Sequence, residues 1–268
     1  MRDFLGLPPD WSASGYQIDG LIVIIHWFMF TLFLFWGGFF AYALVRFRAG
    51  RQPQAIYAGT KAGWSRFMEV GIVLFEIVLL VGFAFPLWSQ RVREMPPEEG
   101  ATRVRVVAEQ FAWNFHYPGP DGVWGRTDPT LVNTAANPLG LDRQDPAAAD
   151  DIHTLNNLYL PVDKPVILYL SSKDVIHSFF LPYMRVKHDA IPGQVVPIWF
   201  EPVETGSSEI ACAQLCGMTH FRMRGFLHVQ SQAEYDAWLA QQAPVQAAAS
   251  HDSGAADGAS RSATGPAG

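Results

Sequence analysis

The sequence predicts a membrane hairpin of two helices followed by an antiparallel β-sandwich or barrel. Three observations carry this: a charge-free apolar run over 21–45, a second apolar run over 67–88, and beyond them short alternating segments separated by turns. Hydrophobic residues make up 49% of the 268 residues and charged residues only 16%, a low share for a wholly soluble chain. The length suits one or two domains. The net charge of −6 argues against nucleic acid as a partner, because phosphate binding needs clustered Lys and Arg.

Residues 1–20 are read as an external segment, acidic at Asp3, Asp10 and Asp19. The run over 21–45 exceeds the ~20 residues that span a bilayer, and Trp27 and Trp36 add interfacial anchors. A cleaved signal would be shorter and would follow basic residues. The second run carries Glu69 near its start and Glu76 inside it. Between the runs lie Arg46, Arg48, Arg51, Lys61 and Arg66 with no acidic residue, which puts the loop over about 46–66 in the cytoplasm. The hairpin then occupies 21–90. Both termini face outward, at a bacterial-type inner membrane.

An exported domain follows over 100–230. Residues 103–107, 165–170 and 195–200 alternate as strands do, and 223–229 is a further candidate. Turns are marked by Pro118-Gly119-Pro120-Asp121-Gly122, Pro192-Gly193 and Thr205-Gly206. Residues 125–151, rich in Pro, Asn, Asp and Ala, read as a long surface insertion. A short helix is expected over 231–241. The Ala/Ser/Gly-rich tail over 242–268 is too poor in large apolar groups to offset its ordering entropy, so disorder is expected there.

Chemistry concentrates in Cys212-Ala-Gln-Leu-Cys216-Gly-Met-Thr-His220-Phe-Arg-Met223. These are the chain's two cysteines, so a disulfide scaffold is excluded. Thiolate with imidazole selects copper, zinc or iron–sulfur clusters, and a thioether tips the choice to copper. Two thiolates shared between two coppers would let one unpaired electron spread over both ions, with little geometric change as the charge changes. Such a centre needs a second imidazole, and Asp174-Val175-Ile176-His177-Ser178-Phe179 supplies one after a strand. Taken singly, the cysteines could form a disulfide, Met223 could pack a core and His177 could be an ordinary histidine. Their joint spacing favours a metal. His26, His116, His153, His188 and His228 lack such company.

At these residues the chain resembles cytochrome c oxidase subunit II, the copper A subunit of haem–copper terminal oxidases. The motif Cys-x-x-x-Cys-Gly-x-x-His-x-x-Met, the His177 segment with Pro182, and Lys187-His188-Asp189-Ala190-Ile191-Pro192-Gly193 carry the likeness over about 20–240. The resemblance implies a cupredoxin-like domain holding a binuclear copper A centre. Cys212 and Cys216 would bridge the coppers, with His177, His220, Met223 and the Gln214 backbone carbonyl as the other ligands. It implies oxidase subunits I and III, cytochrome c and the lipid membrane as partners, and no oxygen reduction by this chain alone.

Three departures stand out. The family's Glu between the cysteines, a ligand to an interfacial magnesium, is Gln214 here, a poorer magnesium ligand. The aromatic motif Gln-Trp-x-Trp reads Gln110-Phe111-Ala112-Trp113, so Phe111 stands where electrons arrive in the family, with Trp113 beside it. That points to altered docking, for example of a membrane- or complex-bound cytochrome. In the second helix Glu69 fits the family's proton-uptake position, and Glu76 replaces a Pro one face-repeat further on. Two alternative functions are a copper A subunit of a nitric oxide reductase and a membrane-tethered copper chaperone. A quinol oxidase subunit would lack the copper ligands. The chaperone expectation is one anchor, an α/β domain and Pro after the second Cys, whereas this chain has Gly217.

Overall fold

The computed structural model describes residues 4–54, 57 and 63–242. They divide into two compact units, one within 4–7 and 15–94 and the other within 8–14 and 95–242. The tail expected to be disordered lies outside the described residues from 243 on, as do 55–56 and 58–62 of the loop between the helices.

Helix α1 (Gly15–Arg46) and the helical stretch Gly63–Gln90 are each long and apolar enough to cross a membrane. The second begins as α2 (Gly63–Leu79), widens to a π-turn over Leu80–Ala84, and continues as α3 (Phe85–Arg93). The widening sits directly before Pro86, whose ring and missing N–H disturb the regular ladder. Phe28 of α1 meets Phe75 of α2 with ring centroids 4.3 Å apart. Few other side chains are covered. Gly15 and Asp19 are the buried residues of α1, and α2 has none.

The second unit is a two-sheet sandwich. One sheet orders its strands β3 (Ile152–Leu155), β2 (Ala112–Tyr117), β1 (Thr102–Glu109), β5 (Val166–Ser172), β8 (Val196–Phe200). The other orders β4 (Asn157–Pro161), β10 (Arg224–Gln230), β9 (Gly206–Cys212), β6 (His177–Leu181), β7 (Val186–Ala190). Strand β1 alternates, sending Val104, Val106 and Ala108 into the core, while β2 is buried nearly throughout. That is why alternation finds β1 and misses β2. Most pairings are antiparallel, as expected, but β1–β5 and β4–β10 are parallel. Parallel neighbours need a long crossover, and the chain between β1 and β5 supplies one.

The 125–151 insertion is ordered and tucked onto the first sheet, with Leu141, Ala148 and Asp151 buried. Its turns are held by Asx bonds such as Thr130 N to Asp128 Oδ1, 2.8 Å. Helix α4 (Gln232–Gln241) opens on a Ser231–Glu234 capping box and lays Trp238 on Tyr159, centroids 4.4 Å apart. Residues 8–14 strap onto the sandwich: Trp11 N bonds Tyr183 O at 2.9 Å and Val203 N bonds Trp11 O at 2.8 Å. The Trp11 ring covers Gly206, where a β-carbon would stand 2.7 Å from it.

Candidate metal centre

Strand register assembles the site. Cys212 ends β9, where it stands opposite Phe179 of β6 on one side, while its backbone N–H bonds Met223 O, just before β10, at 3.3 Å. His177 begins β6 two residues before Phe179, on the same face. The connection from Cys212 then carries Cys216 and a single helical turn, His220–Arg222, back to Met223.

The sulfurs of Cys212 and Cys216 lie 3.8 Å apart and the cysteines are free. His177 Nδ1 stands 4.0 Å from Cys212 Sγ, and His220 Nδ1 stands 3.6 Å from Cys216 Sγ. Met223 Sδ is 3.8 Å from Cys216 Sγ, and the Gln214 carbonyl oxygen is 3.2 Å from Cys212 Sγ. Each imidazole thus turns the same ring nitrogen to a different thiol. His177, Cys216 and Met223 are buried. A soft, converging donor set of two sulfurs, two imidazoles, a thioether and a carbonyl fits copper.

The two thiols differ in acidity. Burial alone would raise the Cys212 thiol, but hydrogen bonding from His177, the Ser178 and Gln214 backbone and His220 outweighs it and brings the thiol down to about 6. Cys216 is pushed up to about 11, by burial and then by the charge of Cys212. Burial opposes protonation of His177, yet Cys212 and Asp174 together raise it.

Asp174, not singled out as a site residue from sequence, ties the two ligand loops together. Its Oδ1 lies 2.9 Å from His177 Nε2, and its Oδ2 accepts the Gln110 backbone N–H at 2.7 Å. The Gln110 side chain in turn donates to the Cys216 carbonyl at 2.6 Å. The legible signal was an acid three residues before a ligand histidine. Phe111 packs beside this bridge: a β-carbon on Gly217, whose φ is +143°, would lie 2.9 Å from Phe111 Cζ. Only glycine suits that backbone and that approach.

Trp113 is fully buried, edge-on to Phe179 at 5.1 Å and to His177 at 6.1 Å. Of these two rings, only Phe111, half-buried, reaches the surface. Leu215, Met218 and Phe221, on the ligand loop, are strongly exposed. Gln214 is exposed at the same loop. Glu69 and Glu76 lie on α2 in the other unit, both exposed, with Ser65 Oγ donating to Glu69 at 2.9 Å.

The sequence profile described as cytochrome C oxidase subunit II, periplasmic domain, matches residues 102–229. A relative named alternative cytochrome c oxidase subunit 2, from Bradyrhizobium diazoefficiens, is 36% identical over 85% of this chain and 80% of its own length. The chain belongs to the cytochrome c oxidase subunit II family. Cytochrome c oxidase subunit 2 of Cereibacter sphaeroides is 28% identical over 88% of this chain and 79% of its own. The crystal structure of the periplasmic domain of subunit II from Bradyrhizobium japonicum covers 54% of this chain and 94% of its own, at 23% identity and a TM-score of 0.40. As a subunit II, this chain is a component of a haem–copper oxidase complex, with membrane helices and a periplasmic-type domain.

Proposed function

We propose that this chain is the electron-transfer subunit of its oxidase, taking electrons from cytochrome c at a binuclear copper A centre and passing them to haem in subunit I for oxygen reduction. The observation that carries the reading is the convergence of the six expected donors on one spot, with the two free thiols 3.8 Å apart. Cys212 and Cys216 would bridge the metals; His177, His220, Met223 and the Gln214 carbonyl would complete the shell. When bound, a thiolate-bridged copper pair supplies one-electron storage with little change in geometry. Asp174 holds the His177 ring with Nδ1 toward the thiols, and the Gln110 amide ties the Cys216 end of the loop to the same carboxylate. Burial of His177, Cys216 and Met223 keeps water from competing for the site.

The exposed Leu215, Met218 and Phe221 surround the ligand loop with apolar surface suited to a transient donor, and Phe111 lies beside it. We read Phe111 as the surface contact for the electron and Trp113 as interior packing against His177. The helical hairpin anchors the chain with the loop over 46–66 in the cytoplasm and the β-domain outside. Glu69 and Glu76, one helix face apart by seven residues, would face subunit I and serve proton uptake, since bare carboxylates in lipid are costly. With an amide at Gln214, this position is a poorer ligand for an interfacial magnesium than the family's carboxylate. The two-sheet sandwich of the second unit does not suit the chaperone alternative, for which an α/β domain is expected.

Copper analysis with electron paramagnetic resonance of the purified full-length chain tests the reading. The expected result is a copper pair with the hyperfine pattern of an electron shared equally between the two ions. A single copper with an unshared electron, or a Cys212–Cys216 disulfide that excludes metal, would overturn it. Oxygen consumption with cytochrome c by the assembled complex separates this role from nitric oxide reduction.

A further inference from the structure

The insertion and the outer face of the first sheet line a cavity of about 720 Å³, which includes none of the six metal donors but reaches Ser172 and Lys173 at the foot of the His177 loop. That volume is in the range of small-molecule sites, ~300–1,000 Å³. Its wall mixes aromatic and apolar surface from Trp124, Tyr169, Val107 and Val195 with the guanidinium of Arg105 and the carboxylate of Glu98.

Arg105 is the informative group. Its guanidinium carbon sits 4.6 Å from the Trp124 ring centroid, and its hydrogen bond to the Gly125 carbonyl is long, at 3.5 Å. The surrounding carboxylates make their hydrogen bonds elsewhere, although Asp151 attracts the Arg105 guanidinium through space. Glu98 accepts from Arg103 at 2.8 Å and from Tyr169 at 2.6 Å. Glu109 accepts from Lys173 at 2.7 Å and from Asn114 at 2.9 Å. Asp151 Oδ2 accepts the Gly125 N–H at 2.9 Å and meets His116 Nε2 at 2.8 Å. Lys173 and His116, which also line the cavity, therefore have carboxylate partners, whereas Arg105 has none within ion-pair distance among the described residues.

A half-buried guanidinium with one long hydrogen bond has lost hydration without replacing it. Its planar donors match a carboxylate through two parallel N–H···O bonds. Trp124 holds the Arg105 guanidinium, and that of Arg103 at 4.9 Å, by cation–π contact, which restrains Arg105 and lowers the ordering cost of binding. We propose that this cavity is a binding site for a small monocarboxylate with an aromatic or aliphatic body, its carboxylate on Arg105 and its body against Trp124 and Tyr169. The site is separate from the metal donors and does not depend on the copper reading.

Isothermal titration calorimetry of the assembled complex in lipid nanodiscs tests this, with 4-phenylbutyrate as probe. Its neutral counterpart 4-phenylbutyramide and inorganic phosphate serve as controls. The expected result is one saturable site for the acid, with the amide and phosphate each weaker by about tenfold or more. Arg105→Met should bring the acid to the level of the amide, and Arg105→Lys should keep part of the preference. Trp124→Leu, which retains the guanidinium, should weaken acid and amide alike. Copper content and thermal unfolding, followed in parallel, identify a variant that has merely misfolded, and the remaining variants then decide. Equal binding of acid and amide, phosphate binding as tightly as the acid, unchanged binding in Arg105→Met, or no saturable site would each overturn the proposal.

Discussion

The two units of this chain satisfy their apolar residues in opposite ways. The sandwich closes on itself, with Trp113, Phe115, Phe179 and Phe200 at or near zero exposure. The helices bury almost nothing, and Phe33, Phe40, Leu44 and Val81 stay largely uncovered. One unit is a finished core that holds a site; the other is a surface awaiting lipid and neighbouring subunits. The proposed metal chemistry, which needs fixed distances, therefore sits in the first, and Glu69 and Glu76, proposed to face subunit I, sit in the second.

Substitutions in the two units should separate along this line. The largest effect is expected for Cys212→Ser, which removes a proposed bridging ligand and should abolish the paired-copper signal while leaving the circular dichroism of the metal-free domain unchanged. Trp113→Ala should strike the finished core, costing about 3–5 kcal/mol in denaturant unfolding of the β-domain, with the helical signal retained. Asp174→Ala should lower copper affinity by roughly 10–100-fold through a freed His177 ring, read by competitive chelator titration, with little change in domain stability.

A smaller effect comes from His153, half-buried beside Asn114. Burial first, then His116 and Lys173, lower its pKa from 6.5 to about 4. The unfolded chain then binds the proton more readily, so the domain should lose stability as pH falls from about 6.5 to about 4 and level off below. His153→Gln should flatten that dependence in urea melts. Smallest of all for the sandwich, Glu76→Gln should leave its unfolding within about 0.5 kcal/mol of wild type, while slowing proton uptake by the assembled complex. A change in copper content in Glu76→Gln would break the comparison.

Much of the site was legible because its ligands are close in sequence. Cys212, Cys216, His220 and Met223 share one loop, and local spacing with donor chemistry is enough to suggest a metal. The helices were legible because a bilayer demands a long uncharged run, which any reader of composition can see. The strands were less so. Those with one wet face, such as β1 and β10, alternate, whereas β2 is covered along most of its length and shows no period. The Asp174–Gln110 link joins residues 64 apart, and nothing local in either segment announces it.

By itself the sequence determined the two apolar spans, the presence of an alternating β-domain and the donor types of a soft-metal loop, because each follows from local periodicity or composition. Only the tertiary structure decided that His177 turns Nδ1 to Cys212, that Phe111 lies against Gly217, and that Arg105 faces a cavity with no carboxylate paired to it among the described residues. Those are matters of register and crossover between strands distant in the chain, and a contact between distant strands is set by the packing of the whole domain.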